Sequence, residues 1–526
     1  MAVFEFIIAL LLAVIALHFV GQKLRLPPSA SLIIGGAAIA FLPSLPSQNL
    51  NLNPELVLAI VLPPLLMDSA WGISFKHLRR HMLGISALAI GAVVFTTAVV
   101  AIVAHWLMPS LPWAACAALG ALVAPPDAVS TRDVLQRVKL PRRLLILLEG
   151  ESLFNDATSL VLFRFAVAAA MTGLFSPANA FGIFALLAIG GALVGIVVAG
   201  TWVILVRYLQ DQSLIIASGL LCGWISYLLS EHLHVSGVIA VVTTGLICAR
   251  YQHSILTANV RMYGAGFWMV MIFFIEAFVF LIIGSSLRVA IERGGGLHAI
   301  IWQMSGPVFT IILALTAARF IWIYASEGLL AVLSACGLSR FQRLGFADAT
   351  VLSWSGMRGV ITLALAASLP KTFPERDFIV VTAFAVILAT VFVQGLTISA
   401  VIRWTRLTAP ESDKPRLSMS EAEAAIAKVQ YELIEKLAYN TAGELVHPVL
   451  LSTHKHRAEN LARYSQQIEE YKPRLDAHFD MVLELVAAGR AELIRLYRAG
   501  DIDEDTLREL ERDLDLQELS ALSAKL

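Results

Sequence analysis

Four side chains that carry oxygen atoms lie within six residues of one another in the stretch GESLFNDATSLVLF, residues 150–163. On a helix, Ser152 and Asp156 share one face, and Glu151 and Asn155 share the adjoining face. Hydroxyl, amide and carboxylate oxygens gathered in this way suit hard cations such as Na⁺ or Li⁺. A carboxylate removed from water also favours its protonated form. The stretch therefore predicts a site for a cation or a proton, in preference to polar groups that only hold helices together.

A further carboxylate follows two consecutive prolines in ALVAPPDAVS, residues 121–130. Pro125 and Pro126 lack backbone donors and clash with a regular helix, so this apolar segment should break near its middle. Irregular backbone at membrane depth is tolerated only where protein buries it or where it lines a cavity. Asp127 comes directly after the break, which favours a binding site over a simple kink.

A matching interruption occurs in SWSGMRGVITLALA, residues 353–366, where Gly356, Arg358 and Gly359 interrupt an apolar run. Many transporters build a midplane site from two discontinuous helices that occupy corresponding places in inverted repeats. The two interrupted segments are the fifth and twelfth apolar segments, as two six-helix repeats with one linking helix would require. Arg358 lies too deep to reach the membrane surface, and its charge suits the carbonyl ends of interrupted helices.

A second deep arginine, Arg319, lies in the apolar run LALTAARFIWIY. An unpaired arginine inside a membrane is costly, so Arg319 needs a carboxylate. Glu151 is the first candidate for this pair, which leaves the aspartates for ion chemistry; Arg358 is the alternative partner of Glu151. Asp68 in PPLLMDSAW and Glu276 in FFIEAFVFLIIG are predicted to line an access path.

The composition places most of the chain in a membrane. The 526 residues are 58% hydrophobic and 15% charged, well above the apolar share of a soluble domain. A spanning helix needs roughly 20 mostly apolar residues. Thirteen candidate spans are centred near residues 11, 37, 62, 95, 121, 158, 194, 221, 242, 273, 312, 358 and 390. The first segment lacks the basic start and the cleavage site of a signal peptide, so we interpret it as the first span.

Basic loops alternate with poorly charged ones between these spans. KHLRRH, VRYLQDQ and ARYQHS all fall on one side of the predicted membrane, together with the other basic loops. The positive-inside rule makes that side cytoplasmic. We therefore expect a multi-pass protein of the plasma (inner) membrane with its N-terminus outside and its C-terminal tail in the cytoplasm.

Charge also divides the chain. Residues 411–526 hold 23 acidic and 15 basic residues, whereas the preceding 410 residues hold 16 acidic and 24 basic ones. Two stretches of the tail, AAIAKVQYELIEKLAYN and MVLELVAAGRAELIRLYRAG, have the apolar periodicity of amphipathic helices. We predict a transmembrane domain over residues 1–407 and a helical, regulatory cytoplasmic tail over residues 408–526.

Other classes of protein compete with a transporter. A cation channel would need a continuous pore, which several subunits usually build. An intramembrane aspartyl enzyme would need a Gly-Asp loop that we do not find, and a membrane sensor would use the tail to signal. We also find no phosphate loop, haem motif or nucleic-acid motif. We therefore expect a protein that is no enzyme, has no catalytic residues and no cofactor, and binds no nucleic acid.

The sequence resembles a known family along most of its length. GESLFNDATSLVLF is similar to the signature of the sodium/proton exchangers in the monovalent cation:proton antiporter family, in the branch marked by adjacent Asn and Asp. LPPLLMDSAW, HVSGVIAVVTTGL, EAFVFLIIG and SWSGMRGVITLALAASLP resemble that family's segments in the same order. The resemblance covers about residues 1–407 and leaves the tail without a counterpart.

The resemblance implies a fold and an activity. The fold would be an all-α polytopic membrane protein with about 13 transmembrane helices in two inverted six-helix repeats, and with two crossed discontinuous helices. The protein would work as a homodimer embedded in lipid, with a core that moves like an elevator against a fixed scaffold. It would exchange one Na⁺, or Li⁺ or K⁺, for one proton without net charge movement and serve pH homeostasis.

The resemblance also carries roles to matching positions. Three residues match the family's ligands for the monovalent cation: Asp127, Ser152 and Asp156. Asp156 would be the main proton-carrying acid, and Asn155 would steady the site. Glu151 and Arg319 would form a structural ion pair.

One departure from the family's pattern concerns the first interruption. The family's usual stretch reads Thr-Asp-Pro, whereas this chain reads Pro126-Asp127-Ala128. The carboxylate is kept, but the threonine hydroxyl is lost and the proline lies on the other side. We therefore expect the backbone near Asp127, and with it the cation preference, to be where this chain differs from the family.

Overall fold

The computed structural model describes most of the chain. The described residues are 2–23, 28–40, 54–73, 75–127, 140–173, 177–293, 296, 298, 300–335, 344–407, 417–440, 444–466 and 468–525. Within them all regular structure is helical, apart from an isolated antiparallel bridge between Tyr439 and Leu445. This confirms the all-α fold class that the sequence predicts.

The first compact unit of the chain, Met1–Ala409, contains sixteen described α-helices. They are α1 (Ala2–Lys23), α2 (Pro28–Ala40), α3 (Pro54–Gly72), α4 (Phe75–Ser86), α5 (Val93–Leu107), α6 (Trp113–Val123), α7 (Arg142–Thr172), α8 (Pro177–Val206), α9 (Gln212–His232), α10 (Gly237–Ile255), α11 (Ala258–Arg293), α12 (Ser305–Ala335), α13 (Phe346–Trp354), α14 (Val360–Ser368), α15 (Arg376–Ala389) and α16 (Gly395–Thr405). Short π-helical segments, Ala87–Ala92 and Thr390–Gln394, join α4 to α5 and α15 to α16, and a third, Ile300–Met304, precedes α12.

Seven helical segments of the described residues are long and apolar enough to cross a membrane. They are Leu78–Leu107, Arg142–Thr172, Gly182–Val206, Gln212–His232, Ala258–Leu281, Trp302–Val332 and Arg376–Thr405. Shorter apolar helices occur at Leu11–Lys23, Ala59–Gly72 and Trp113–Val123. Each predicted span centre lies within a helix, or in the break between α13 and α14 for residue 358. The number of crossings, thirteen, stays a prediction.

The helix α6 lies at the centre of the packing around the first interruption. Residues 118–123 of α6 are fully buried against apolar side chains of α5, α7, α12, α14 and α15. Gly120 permits the close approach of α5, because a Cβ atom there would lie 2.5 Å from the carbonyl oxygen of Thr97. The helix ends at Val123, just before Pro125 and Pro126, which lack the backbone donors of a regular helix.

The long helix α7 carries the polar stretch described above through this core. It begins directly after Pro141 and runs without interruption for 31 residues. It ends at Gly173, which has a left-handed φ of 73° that glycine adopts without strain. A rigid, continuous helix therefore presents its polar face to the interruption that follows α6.

The two interruptions meet through their backbones. The helices α13 and α14 are separated by the non-helical residues 355–359. The backbone N–H of Asp127, beyond the end of α6, donates to the carbonyl oxygen of Met357 over 2.7 Å. Residues 128–139, including Ala128, lie outside the described residues.

The second compact unit, Pro410–Leu526, contains four helices among its described residues. They are α17 (Met419–Leu437), α18 (Pro448–Gln466), α19 (Ile468–Ala499) and α20 (Glu504–Lys525). The α17 helix begins with a reciprocal cap between Ser418 and Glu421, and Arg490 of α19 reaches Asp515 and Glu518 of α20 over 2.6 Å each. The predicted domain boundary lies between residues 407 and 408, and residues 408–416 lie outside the described residues.

Candidate ion-binding site

A small cavity of about 40 Å³ lies beside the first interruption, and three acidic side chains line it. These are Asp127 from the interruption, Asp156 from α7 and Glu276 from α11. Hydroxyl-bearing residues complete the polar lining: Ser69, Ser152 and Thr362. A cavity of this size has room for more than one water-sized particle. The structure thus brings the predicted residues Asp127, Ser152 and Asp156 around one volume.

The polar face of α7 is joined to the interruption by hydrogen bonds. Asn155 is fully buried, and its Nδ2 donates to the carbonyl oxygen of Pro126 over 2.8 Å. One turn further along, the Ser159 hydroxyl donates to the carbonyl oxygen of Ala121 over 2.7 Å. Asn155 is not among the residues that line the cavity. Its contact instead fixes the backbone immediately before Asp127.

Arg358 caps the carbonyl end of α6. Its Nε donates to the carbonyl oxygen of Val123 over 3.0 Å, and Nη2 lies 3.4 Å from that of Ala124. The Arg358 backbone N–H donates to the Thr390 hydroxyl over 3.1 Å, and Nη1 donates to the carbonyl oxygen of Gly356. A fixed positive charge therefore lies where α6 leaves its last carbonyl groups without helical partners.

Arg319 caps the other interrupted helix and pairs with Glu151. Nη1 and Nη2 of Arg319 lie 2.6 and 2.9 Å from the two carboxylate oxygens of Glu151, in a bidentate arrangement. Nη2 and Nε also donate to the carbonyl oxygen of Leu352, near the end of α13, over 3.1 and 3.3 Å. The exposed fractions of the two charged side chains are 3% and 1%. Of the two arginines considered for Glu151, the structure therefore places Arg319 against it.

The remaining predicted residues lie at a second, larger cavity of about 590 Å³. Asp68 lines this cavity, together with His18, Gln252 and Arg261, and does not line the small one. Glu276 lines both cavities and so lies where they adjoin. The large cavity is mostly apolar elsewhere, with Trp71, Trp202, Trp268 and Phe273 among its walls.

Some polar residues at the site were not predicted from the sequence. Ser159 could have been found, because it continues the polar face of α7 one turn beyond Asn155. Ser69 and Thr362 line the cavity, and Thr390 accepts the Arg358 N–H group, but each is a single hydroxyl in an apolar segment. Such hydroxyls usually bond to their own helix, so the sequence gives no signal that sets these three apart.

Comparison with known proteins decides the family. The sequence profile described as "Sodium/hydrogen exchanger, transmembrane" matches residues 7–404. The chain belongs to the sodium/hydrogen exchanger family. This confirms the resemblance that the sequence motifs carry, and the profile, together with the apolar helices, identifies the chain as a multi-pass membrane protein.

Three relatives show how much of this sodium/hydrogen exchanger is shared with other proteins. An uncharacterised Na⁺/H⁺ exchanger of Mycobacterium tuberculosis is 28% identical over 98% of this chain and 96% of its own length. The Na⁺/H⁺ antiporter ApNhaP of Aphanothece halophytica is 34% identical over 72% of this chain and 69% of its own length. A sodium, potassium, lithium and rubidium/H⁺ antiporter of Bacillus pumilus is 30% identical over 75% of this chain and 61% of its own length.

A solved structure agrees on the fold of this exchanger. The sodium proton antiporter MjNhaP1 of Methanocaldococcus jannaschii matches with a TM-score of 0.60 at 20% sequence identity. The match covers 76% of this chain and 98% of MjNhaP1. The antiporter fold is therefore shared, and the helices of the first compact unit are those of a sodium/hydrogen exchanger.

Gly359 is required by the approach of Asp127, and replacing it with alanine is expected to disturb the site. A Cβ atom at Gly359 would lie 1.8 Å from Oδ2 of Asp127, so the carboxylate would have to move. We expect Gly359→Ala to cost about 1–3 kcal/mol of stability through overpacking and to abolish cation-driven proton movement in liposomes. Gly328→Ala is the matched control, because nothing lies within 4 Å of a Cβ atom there. Normal transport by Gly359→Ala would show that Asp127 need not keep this position.

Proposed function

We propose that this chain is a secondary antiporter that exchanges a monovalent cation for a proton across the membrane, with Na⁺ as the first candidate and Li⁺ or K⁺ as others. The observation that carries the proposal is the small cavity, where Asp127, Asp156 and Ser152 gather between two interrupted helices. Oxygen ligands at the meeting point of interrupted helices suit a desolvated cation. The names of the relatives, which include a Na⁺/H⁺ antiporter, support the same assignment.

In this proposal the cation and the proton compete for the same carboxylates. Asp127 and Asp156 line one cavity of about 40 Å³, so a cation bound there takes the oxygens that a proton would otherwise occupy. Asp156 is the main proton carrier because it is the more deeply buried acid, with an exposed fraction of 8%. Ser152 supplies a neutral oxygen ligand. Asn155 positions the site by holding the carbonyl oxygen of Pro126.

The charges around the cavity also favour electroneutral exchange. The buried pair described above is neutral in itself, and in this proposal Arg358, which caps α6, and Asp127 keep the same charges in both half-cycles. Asp156 then remains, and a proton or a monovalent cation changes its charge by the same amount. Glu276 contributes equally to both half-cycles if it keeps one protonation state. The loaded site would therefore carry the same charge in each direction.

We further propose that the large cavity is the access path. Asp68 lies along it and Glu276 lies at its junction with the small cavity, which is the order in which an entering cation would meet them. Alternating access would be of the elevator type, in which α7 and the interrupted helices move together in a homodimer. The N-terminus would lie outside a plasma membrane, and the cytoplasmic tail would regulate exchange.

Transport in liposomes tests this function. Purified full-length protein would be reconstituted with a pH-sensitive dye inside, and an imposed proton gradient would be challenged with Na⁺, Li⁺ and K⁺ in turn. We expect saturable, cation-driven proton movement that reverses with the gradient, and an apparent cation affinity that falls as pH decreases. Flux that does not saturate and is independent of the proton gradient would indicate a channel. Absence of movement with every cation, in folded protein, would favour a sensor.

A further inference from the structure

A third cavity lies apart from the ion-binding site, where three basic stretches of the sequence converge. It has a volume of about 1220 Å³. Five cationic residues line it: Lys76, Arg79, Arg80, Arg207 and Arg250. The first three follow the helical spacing i, i+3, i+4 on α4, Arg207 directly follows the end of α8, and Arg250 lies on α10. Three separate parts of the chain therefore present positive charge to one volume.

These cations are not neutralised by the part of the chain that the structure describes. No carboxylate of the described residues forms an ion pair with any of the five, and all five side chains are exposed. The guanidinium carbon of Arg250 lies 5.8 Å from the centre of the Phe75 ring. Unpaired cations that surround a cavity favour an anionic ligand.

The rest of the cavity is apolar. Its walls away from the cations are aliphatic: Ile196, Val203, Ile204, Leu246 and Ile247. Ile196 lies on α8, eleven residues before Arg207, which directly follows the helix, so the lining extends roughly 16 Å along α8 from the charged end. Ile196 and Ile204 are themselves largely exposed, on a helix that is apolar enough to span a membrane. The cavity is thus charged at one end and open to apolar surroundings at the other.

We propose that this cavity binds an anionic phospholipid, with the headgroup phosphate on the five cations and the acyl chains along α8 and α10. Basic cavities between membrane helices suit such headgroups. The general excess of Lys and Arg at cytoplasmic helix ends accounts for charge on one side, but it does not account for a charged cavity with a long aliphatic wall. A free phosphate would use only the charged end, whereas the acyl chains of a phospholipid would also cover the aliphatic wall.

Lipid binding by the full-length protein tests the proposal. Native mass spectrometry would titrate detergent-solubilised protein with dioleoyl phosphatidylglycerol, dioleoyl phosphatidylcholine or inorganic phosphate. We expect the wild type to retain phosphatidylglycerol in preference to the other two. The variant Lys76→Gln/Arg79→Gln/Arg250→Gln is expected to bind it about 100-fold more weakly, from roughly fivefold for each charge removed.

Two further variants test whether binding depends on charge inside the cavity and on the aliphatic wall that would hold the acyl chains. Lys23→Gln/Arg142→Gln/Arg403→Gln removes the same charge from helix ends outside the cavity, and we expect it to bind like the wild type. Gly200→Trp keeps every cation but fills the aliphatic part, where nothing lies within 4 Å of a Cβ atom. We expect it to weaken phosphatidylglycerol binding at least tenfold.

Three results would overturn the proposal. The two triple variants could bind phosphatidylglycerol equally well, Gly200→Trp could bind it like the wild type, or the wild type could retain inorganic phosphate as strongly as phosphatidylglycerol. A carbodiimide cross-link from Lys76 to a carboxylate of residues 411–526 that persists in phosphatidylglycerol would mean that the acidic tail occupies the cavity instead.

Discussion

Arg319→Ala is expected to destabilise the protein by about 3–5 kcal/mol, because it leaves a buried carboxylate without its partner. Glu151 would be left without its partner at an exposed fraction of 1%, and two hydrogen bonds to the carbonyl oxygen of Leu352 would also be lost. We expect a clearly lower midpoint of thermal unfolding in detergent, low yield of folded protein and no exchange in liposomes.

An exposed ion pair provides the matched control for this variant. Arg164 and Glu231 approach within 3.2 Å on α7 and α9, but their side chains are 51% and 33% exposed. Arg164→Ala should change stability by no more than about 1 kcal/mol, because solvent screens such pairs. Glu151→Leu/Arg319→Met removes both buried charges and should recover most of the lost stability. An Arg319→Ala protein that melts like the wild type would show that the pair does not stabilise the fold.

Asp156→Asn is expected to reduce cation-driven proton movement to the level of protein-free liposomes while leaving the protein folded. The amide has nearly the shape of the carboxylate, but it cannot carry the exchanged proton or offset a cation's charge. Asp156 lines the small cavity from a continuous helix, so the change should alter the chemistry of the site and not its position. Exchange rates and the elution profile of the purified protein would be measured together.

The control for Asp156→Asn is the same substitution at a helix cap. The Asp211 side chain accepts the backbone N–H of Leu214 at the start of α9, and asparagine caps helices equally well. Asp211→Asn should therefore transport like the wild type. Exchange that survives Asp156→Asn, with Asp211→Asn unchanged, would remove Asp156 from the mechanism.

The sequence predicted the fold class, because long apolar segments leave few alternatives to helices in a membrane. The interruption after α6 follows from Pro125 and Pro126, which end the helix at Val123. The contact between the two interruptions could not be predicted in the same way. It runs from the N–H group of Asp127 to the carbonyl oxygen of Met357, and backbone groups are the same in every sequence.

The candidate site could be predicted in part. Helical spacing predicted that Ser152 and Asp156 share one face of a helix. The structure brings that face and Asp127 around one cavity. The roles of these residues stay a prediction. An unpaired buried arginine is costly, so the sequence predicted a carboxylate partner for Arg319. It could not predict where in the fold the two side chains meet. The sequence predicted that Arg358 offsets the carbonyl end of an interrupted helix, but which helix it caps, and that Arg319 also caps α13, depends on how the helices pack together.

The hydrogen bond from Asn155 to the carbonyl oxygen of Pro126 explains how the site can differ from its family in sequence. Proline lacks the threonine hydroxyl, but it keeps the carbonyl oxygen that Asn155 holds over 2.8 Å. A position that acts through its main chain can change its side chain and still keep the same acceptor in place. Divergence at residue 126 is therefore weak evidence for divergence of mechanism, and substitutions at Asn155 should be tolerated far less over evolutionary time.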